Sequence, residues 1–147
     1  MRVSIIGGSS ASTAQQSVAE TVGYELASRD HTIVCGGLTG VMRAVCRGAK
    51  RADGLTIGIL PGSKRSAANE YVDIPIVTGL GDARNVLVAR NGDAVIAIDG
   101  AYGTLSEIAL ALNADIPVVG LDTHDVPGVV AVETPVAAIE EIEAASG

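Results

Sequence analysis

The sequence predicts an α/β fold, a parallel sheet with helices on both faces. Short runs rich in Val and Ile alternate with longer segments of helical period, and the runs are almost continuously apolar. Strands covered on both faces have this continuous pattern, and strand–helix alternation gives right-handed parallel βαβ units. We therefore expect residues 1–147 to form a single Rossmann-like, doubly wound domain, with a sheet of about six or seven strands.

The individual elements follow from the spacing of apolar residues. The candidate strands are residues 2–6, 32–35, 56–60, 74–78, 94–98, 117–121 and 129–132. Apolar stripes at helical spacing predict helices over residues 13–28, 40–52, 82–91 and 104–114, and a terminal helix that contains Val136, Ile139 and Ile142.

Composition limits the class of partner. The formal net charge is −7 at pH 7, and only 2% of the residues are aromatic. Because an acidic chain repels polyanions and aromatic stacking platforms are missing, we expect no nucleic acid partner. No apolar run approaches the roughly 20 residues of a membrane span, and the N-terminus runs directly into a strand pattern without a signal peptide. We therefore expect a cytoplasmic protein that does not bind membranes.

Charge and cysteine usage add two expectations. Acidic excess with only two lysines suits a high-salt cell interior, where charge maintains solubility, as well as an ordinary acidic cytosolic protein. Cys35 and Cys46 lie in apolar segments without CxxC spacing, which indicates reduced, buried thiols. Since His31 and His124 are isolated from other ligand types, the sequence predicts no metal site.

Five loops follow apolar runs, and in a parallel sheet they lie at one edge and surround one crevice. They are residues 7–10, 36–40, 61–65, 79–82 and 100–104. Four lead into predicted helices, whose N-terminal amides and positive dipole end attract anions. The pattern predicts a site for a phosphorylated small molecule.

The first two loops supply most of the candidate ligand-binding residues. Glycine lets a phosphate approach the backbone, and serine and threonine add hydroxyl donors. The alternatives are a tight turn with a helix cap in the first loop and close helix–sheet packing at Gly40 in the second. Neither loop matches the dinucleotide or Walker A patterns. The candidates are Gly8, Ser9, Ser10, Gly36, Gly37, Thr39, Gly40 and Met42.

The fifth loop gives the strongest local signal. Gly103 allows the backbone to turn into a helix, Thr104 and the first free amides can hold phosphate oxygens, and Glu107 lies one turn further. The spacing Thr104-x-x-Glu107 also fits a capping box, in which Glu107 only accepts a hydrogen bond from the backbone of Thr104. Spacing alone leaves both interpretations open.

Arg84 falls in the first turn of a predicted helix, where a cation is unfavourable. A ligand phosphate or a carboxylate such as Glu107 would compensate its charge. The alternative is a surface arginine paired with Asp82.

Three motifs together resemble those of the Lonely Guy (LOG)-like superfamily, also called "possible lysine decarboxylases", over nearly the whole chain. They are Gly36-Gly37-x-x-Gly40-x-Met42, Gly81-Asp82-Ala83-Arg84-Asn85 and Gly100-x-x-Gly103-Thr104-x-x-Glu107. The most similar branch contains small prokaryotic proteins and molybdenum cofactor carrier proteins. The resemblance implies a Rossmann-like fold, a homodimer or homotetramer, and a nucleotide-type ligand.

For the LOG enzymes the resemblance implies hydrolysis of the N-glycosidic bond of a nucleoside 5′-monophosphate, with Arg84 and Glu107 as catalytic residues. Gly100, Gly103 and Thr104 then occupy phosphate-loop positions.

The chain departs from the enzyme pattern at two places. Asn85 replaces a lysine, and Asp99-Gly100-Ala101 replaces Pro-Gly-Gly. Asp99 can repel a phosphate or contact a ribose hydroxyl or another polar group of the ligand.

Two functional hypotheses follow. The first is a phosphoribohydrolase in which ionised Glu107, favoured by the helix N-terminus, stabilises an oxocarbenium-like state or orients water. The second is a non-catalytic carrier for molybdenum cofactor or a related phosphorylated pterin. No cofactor is required by either, and the bound ligand would be AMP-like or of the molybdopterin type. Lysine decarboxylation is not expected, because no lysine stands out as a pyridoxal phosphate anchor.

Overall fold

The structure, a computed structural model, describes residues 1–146 of the chain. Over that range it contains seven strands: β1 (Arg2–Gly7), β2 (Thr32–Cys35), β3 (Thr56–Leu60), β4 (Ile74–Val77), β5 (Ala94–Ile98), β6 (Val118–Leu121) and β7 (Val129–Val132). Five α-helices accompany them: α1 (Thr13–Ser28), α2 (Val41–Arg51), α3 (Asn85–Arg90), α4 (Tyr102–Asn113) and α5 (Pro135–Ser146). Short 3₁₀ turns lie at Arg65–Ala67 and Gly81–Arg84.

All seven strands form one parallel sheet in the order β4-β3-β2-β1-β5-β6-β7. The chain builds outward from β1 to one edge and then returns to build outward from β5 to the other. Ligands in sheets of this type bind outside the carboxyl ends of the strands where the order reverses. The topology therefore directs attention to the loops after β1 and β5.

Helices cover both faces of the sheet. Ile5 packs in a core formed with α1, α2 and α5, whereas its neighbour Ile6 packs in the core formed with α3 and α4. Successive side chains of a strand point to opposite faces, so β1 contributes to both layers. This arrangement confirms the predicted Rossmann-like, doubly wound fold.

Helix α2 begins one residue later than predicted, at Val41, and two other helix starts differ by more. Helix α3 begins at Asn85 rather than at residue 82, because Gly81 has a φ of 59° and leads into the 3₁₀ turn. Helix α4 begins at Tyr102, two residues earlier than expected, because Gly100 with a φ of 108° turns the chain before that point. Thr104 therefore lies inside the first turn of α4 and is not its cap.

Two further features of the described chain bear on earlier expectations. Cys35 and Cys46 are free and buried, with their sulfurs 3.6 Å apart. Among residues 1–146, no helix has the length and apolar character needed to cross a membrane.

Helices α1 and α2 pack through two glycines. A Cβ atom on Gly48 would lie 1.9 Å from the carbonyl oxygen of Glu20, and one on Gly23 would lie 2.0 Å from that of Val45. Both distances are far below van der Waals contact with backbone that cannot rotate away. The missing side chains therefore set the separation of the two helices.

We expect Gly48→Ala to destabilise the protein by about 1–3 kcal/mol through overpacking. In an exposed helix interior, replacing glycine by alanine would instead stabilise the protein by about 1 kcal/mol. Urea unfolding measures the difference, with Gly62→Ala as control, since a Cβ there meets nothing within 4 Å. A Gly48→Ala protein as stable as the wild type would contradict this account of the helix contact.

Candidate functional site

A cavity of about 250 Å³ opens at the carboxyl ends of β1 and β2, beside the first turns of α4. We call it the Arg84 chamber. The glycine-bearing loops after the two strands form one wall, and the 3₁₀ turn before α3 forms another. Its lining residues are Ile5, Ile6, Gly7, Gly8, Ser9, Gly36, Leu38, Met42, Asp82, Arg84, Asn85, Ala101, Gly103, Thr104 and Glu107.

The Arg84 guanidinium is buried, with 8% of the residue exposed. It donates hydrogen bonds to Asn85 Oδ1 and, at 3.5 Å, to the carbonyl oxygen of Gly36, and its Nε atom has no partner within the described residues. Across residues 1–146 the ion pairs involve other side chains, so no carboxylate lies within 4.0 Å of Arg84. The alternative of a surface arginine paired with Asp82 is wrong. A buried charge without a counter-charge is costly, which makes this position an attractive site for an anion.

Glu107 lies one turn into α4, and it too is 8% exposed. Burial raises the pKa of its carboxyl to about 8, although the nearby charge of Arg84 acts in the opposite direction. The side chain is therefore mostly protonated at pH 7. The expectation that the helix N-terminus keeps Glu107 ionised is wrong, because loss of solvation outweighs the favourable charges.

The capping-box interpretation is also wrong. The N-cap of α4 is Ala101, and no side chain caps the helix there. Thr104 is buried inside the first turn, so Glu107 cannot close a capping box with it. Of the two interpretations that the spacing left open, the one in which Glu107 faces the crevice agrees with the structure.

Asn85, which sequence reasoning treated only as a lost lysine, holds Arg84 in position. Its side-chain oxygen accepts from the guanidinium, and its Nδ2 donates to Ser106 Oγ at 3.4 Å. Ser106 in turn donates to the carbonyl oxygen of Gly103 at 2.6 Å. A hydrogen-bond chain thus ties Arg84 to the start of α4, a link that only the fold reveals.

The predicted ligand-binding residues divide into two groups. Six line the Arg84 chamber: Gly8, Ser9, Gly36, Met42, Gly103 and Thr104. The other six lie outside its lining, and ligand contact there stays a prediction: Ser10, Gly37, Thr39, Gly40, Asp99 and Gly100.

Part of the second group holds the first two loops together. Thr39 Oγ donates to the carbonyl oxygen of Ser9 at 2.8 Å. Gly40 has a φ of 65°, and a Cβ there would lie 2.3 Å from the carbonyl oxygen of Gly8. Gly40 thus packs closely, but against the backbone of the first loop, whereas the alternative expected from the sequence was packing of a helix on the sheet. The backbone of Gly36, in contrast, lies against Arg84, since a Cβ on Gly36 would lie 2.7 Å from the Arg84 guanidinium.

Asp99 lines a neighbouring, larger cavity at the ends of β5, β6 and β7. Its φ of 52° is unusual for a residue with a side chain. Within residues 1–146, no group of three or more His, Cys, Asp or Glu side chains is arranged to hold a metal ion.

Comparisons with known proteins agree with this geometry. The model of the SLOG cluster4 family matches residues 1–146. The solved structure of the molybdenum cofactor binding protein from Rippkaea orientalis has a TM-score of 0.94 and 36% identity, covering 99% of this chain and 97% of that one. The molybdenum cofactor carrier protein MCP from Chlamydomonas reinhardtii has a TM-score of 0.86 and 33% identity, covering 97% and 98%.

An enzyme is also similar to the chain. A cytokinin riboside 5′-monophosphate phosphoribohydrolase from Mycobacterium tuberculosis is 34% identical over 113 residues, which are 75% of this chain and 58% of the enzyme. The chain thus spans less than two thirds of that enzyme's length. Together these matches confirm the resemblance to the LOG-like superfamily and to molybdenum cofactor carriers.

The raised pKa of Glu107 predicts a stability that depends on pH. The folded-state pKa of about 8 lies above the ordinary value of 4.5. The full stability is therefore present below about pH 4.5 and is lost progressively as the pH rises through 8, because the unfolded chain ionises first. We expect the stability of the wild type relative to Glu107→Gln to fall between pH 5 and pH 8.5 in urea unfolding. The exposed Glu140→Gln is the control, and a difference that does not change with pH would contradict the buried, protonated carboxyl.

Proposed function

The chain belongs to the SLOG cluster4 family, and from this premise we propose that it binds a phosphate-bearing, nucleotide-type small molecule in the Arg84 chamber. The observation that carries the proposal is the buried guanidinium of Arg84, which has no carboxylate partner in the described chain. A phosphate would supply the missing negative charge and accept from the unpartnered Nε.

Backbone donors support an anion at the same place. Gly103 and Thr104 line the chamber at the start of α4, ahead of the helical hydrogen bond from Leu105 N–H to Ala101 O at 3.1 Å. Amides in this position have no partner within the helix and favour negative charge.

The protonation of Glu107 removes an obstacle. As an anion, this carboxyl would repel a phosphate in a chamber whose lining contains a single basic residue, Arg84. With its pKa at about 8 it is mostly neutral at pH 7 and can donate a hydrogen bond. With Glu107 neutral, the charged side chains of the lining are Arg84 and the exposed Asp82. The buried part of the chamber then carries only the positive charge of Arg84.

Substitution of Arg84 tests the proposal. With AMP as the probe in isothermal titration calorimetry, we expect Arg84→Gln to weaken binding about 10-fold to 100-fold, because a charge-assisted hydrogen bond contributes about 1.5–3 kcal/mol. Arg90→Gln is the matched control, since Arg90 ends α3, the helix that follows Arg84, and is exposed. Equal affinities of wild type and Arg84→Gln, or no binding of AMP or ribose 5-phosphate at all, would overturn the proposal.

Hydrolysis of nucleoside 5′-monophosphates is the finer candidate that Glu107 favours. Protonated Glu107 can act as general acid: the bond from C1′ to the base nitrogen breaks, the base keeps the electron pair, and Glu107 gives it a proton. Water then adds to C1′, and its proton returns to the Glu107 carboxylate, leaving ribose 5-phosphate. This role differs from the ionised one expected from the sequence.

Glu107→Gln separates hydrolysis from binding. Glutamine is neutral and has nearly the same shape as the protonated carboxyl, so we expect AMP affinity to change less than about threefold while release of adenine falls at least 100-fold. Chromatography of released base measures the rate, which in the wild type should decline as the pH rises above about 8. Binding of AMP with no base release from any purine or pyrimidine monophosphate would reject hydrolysis. It would favour the second candidate, a carrier of a phosphorylated pterin, which the similarity to molybdenum cofactor binding and carrier proteins supports.

A further inference from the structure

The larger cavity beside the Arg84 chamber has an acidic lining. It has a volume of about 440 Å³ and lies at the carboxyl ends of β5, β6 and β7, against the first turns of α1. Four carboxylates line it, those of Asp99, Asp122, Asp125 and Glu133, and its lining contains no lysine or arginine. We call it the acidic chamber.

The two chambers share a wall. Gly8 lines the Arg84 chamber, and a Cβ built on it would lie 3.7 Å from Oδ2 of Asp99, which lines the acidic chamber. A second link joins the chambers nearby, where His124 Nε2 donates to the carbonyl oxygen of Ala101 at 2.9 Å. His124 lines the acidic chamber and Ala101 lines the Arg84 chamber.

The backbone of Asp99 is fixed, whereas its carboxylate is free to accept. Its amide donates to Leu121 O at 3.2 Å, and its carbonyl oxygen accepts from Thr123 Oγ at 2.7 Å. The carboxylate makes no hydrogen bond or ion pair with the part of the chain that the structure describes, and the same part offers no cluster for a metal ion. The fold thus leaves an acceptor-only group at the wall between the chambers.

We propose that one ligand spans both chambers, with its phosphate on Arg84 and the hydrogen-bond-donating edge of a guanine-type or pterin-type ring against Asp99. This inference rests on the proposed function and names the ligand class for it. Guanine and 2-amino-4-oxopteridine present the same two parallel N–H donors, which match the two oxygens of a carboxylate. Carboxylates would repel the phosphate from this end, so the charges also fix the direction in which the ligand lies.

The shape of the acidic chamber suits a ring. Its volume lies within the range of roughly 300–1,000 Å³ typical of small-molecule sites, and such sites combine apolar walls with a few polar groups. Val18, Val126 and Val132 provide apolar surface beside the carboxylates.

The pair GMP and IMP tests the inference, because the two nucleotides differ only in the 2-amino group. By calorimetry we expect the wild type to bind GMP at least tenfold more tightly than IMP, and Asp99→Asn to reduce that ratio to about twofold or less. Asparagine tolerates the positive φ of Asp99. Glu140→Gln, an equal change of charge outside the chamber, should keep the wild-type ratio.

The outcomes separate this inference from the proposed function. Equal affinities for GMP and IMP in the wild type, or an unchanged ratio in Asp99→Asn, overturn the ring assignment. If the ring assignment fails in this way but Arg84→Gln still weakens AMP binding, the proposed phosphate site remains supported without the ring assignment. No binding of any monophosphate or of ribose 5-phosphate overturns both. Should Asp99→Asn fail to fold, the wild-type ratio of GMP affinity to IMP affinity alone decides.

Discussion

A guanidinium buried without a carboxylate partner is the constraint on which the site depends. An uncompensated charge in the interior costs several kcal/mol, and natural chains normally pair it. Here the residues around Arg84 accommodate the cation without a counter-charge. Gly36 leaves room where a Cβ would lie 2.7 Å from the guanidinium, and Asn85 offers an amide oxygen without charge. Glu107 stays protonated nearby. These features are consistent with a protein that leaves the compensation of Arg84 to a ligand.

The topology explains why charges of opposite sign lie so close together. The sheet reverses its strand order between β1 and β5, and the loops on the two sides of that point belong to different chambers. The loops after β1 and β2 contribute glycines and close backbone approaches, whereas those after β6 and β7 contribute carboxylates. The loop after β5 contributes to both chambers, through Asp99 on one side and Ala101 on the other. Asp99, one of the residues that depart from the LOG enzyme pattern, thus lies at the boundary between the two chambers.

The sheet was predictable because its strands are almost uninterrupted Val and Ile runs, and burial on both faces demands such runs. The observed bounds of β1, β4 and β6 differ from the predicted ones by a single residue. The start of α4 was harder to predict from the sequence. Thr104 is a favourable cap by residue type, but the turn at Gly100 determines where the helix begins. The protonation of Glu107 was beyond sequence reasoning altogether. Spacing placed the carboxyl near a helix N-terminus, but the desolvation that dominates its pKa comes from a burial that only the fold creates.

The replacement of a lysine by Asn85 changes more than the number of cations. Arg84 and Glu107 are the buried charged residues of the chamber, and Asp82 lies at its exposed side. Protonation of Glu107 therefore decides whether the buried part of the pocket is positive or neutral. A bound phosphate would oppose ionisation of this carboxyl, and by linkage the protonated carboxyl must favour the bound phosphate to the same extent. A lysine at position 85 would stabilise the carboxylate and weaken that coupling. Asparagine keeps Arg84 oriented through its hydrogen bonds while leaving the proton on Glu107. The substitution therefore favours a site in which a proton and an anion are bound together.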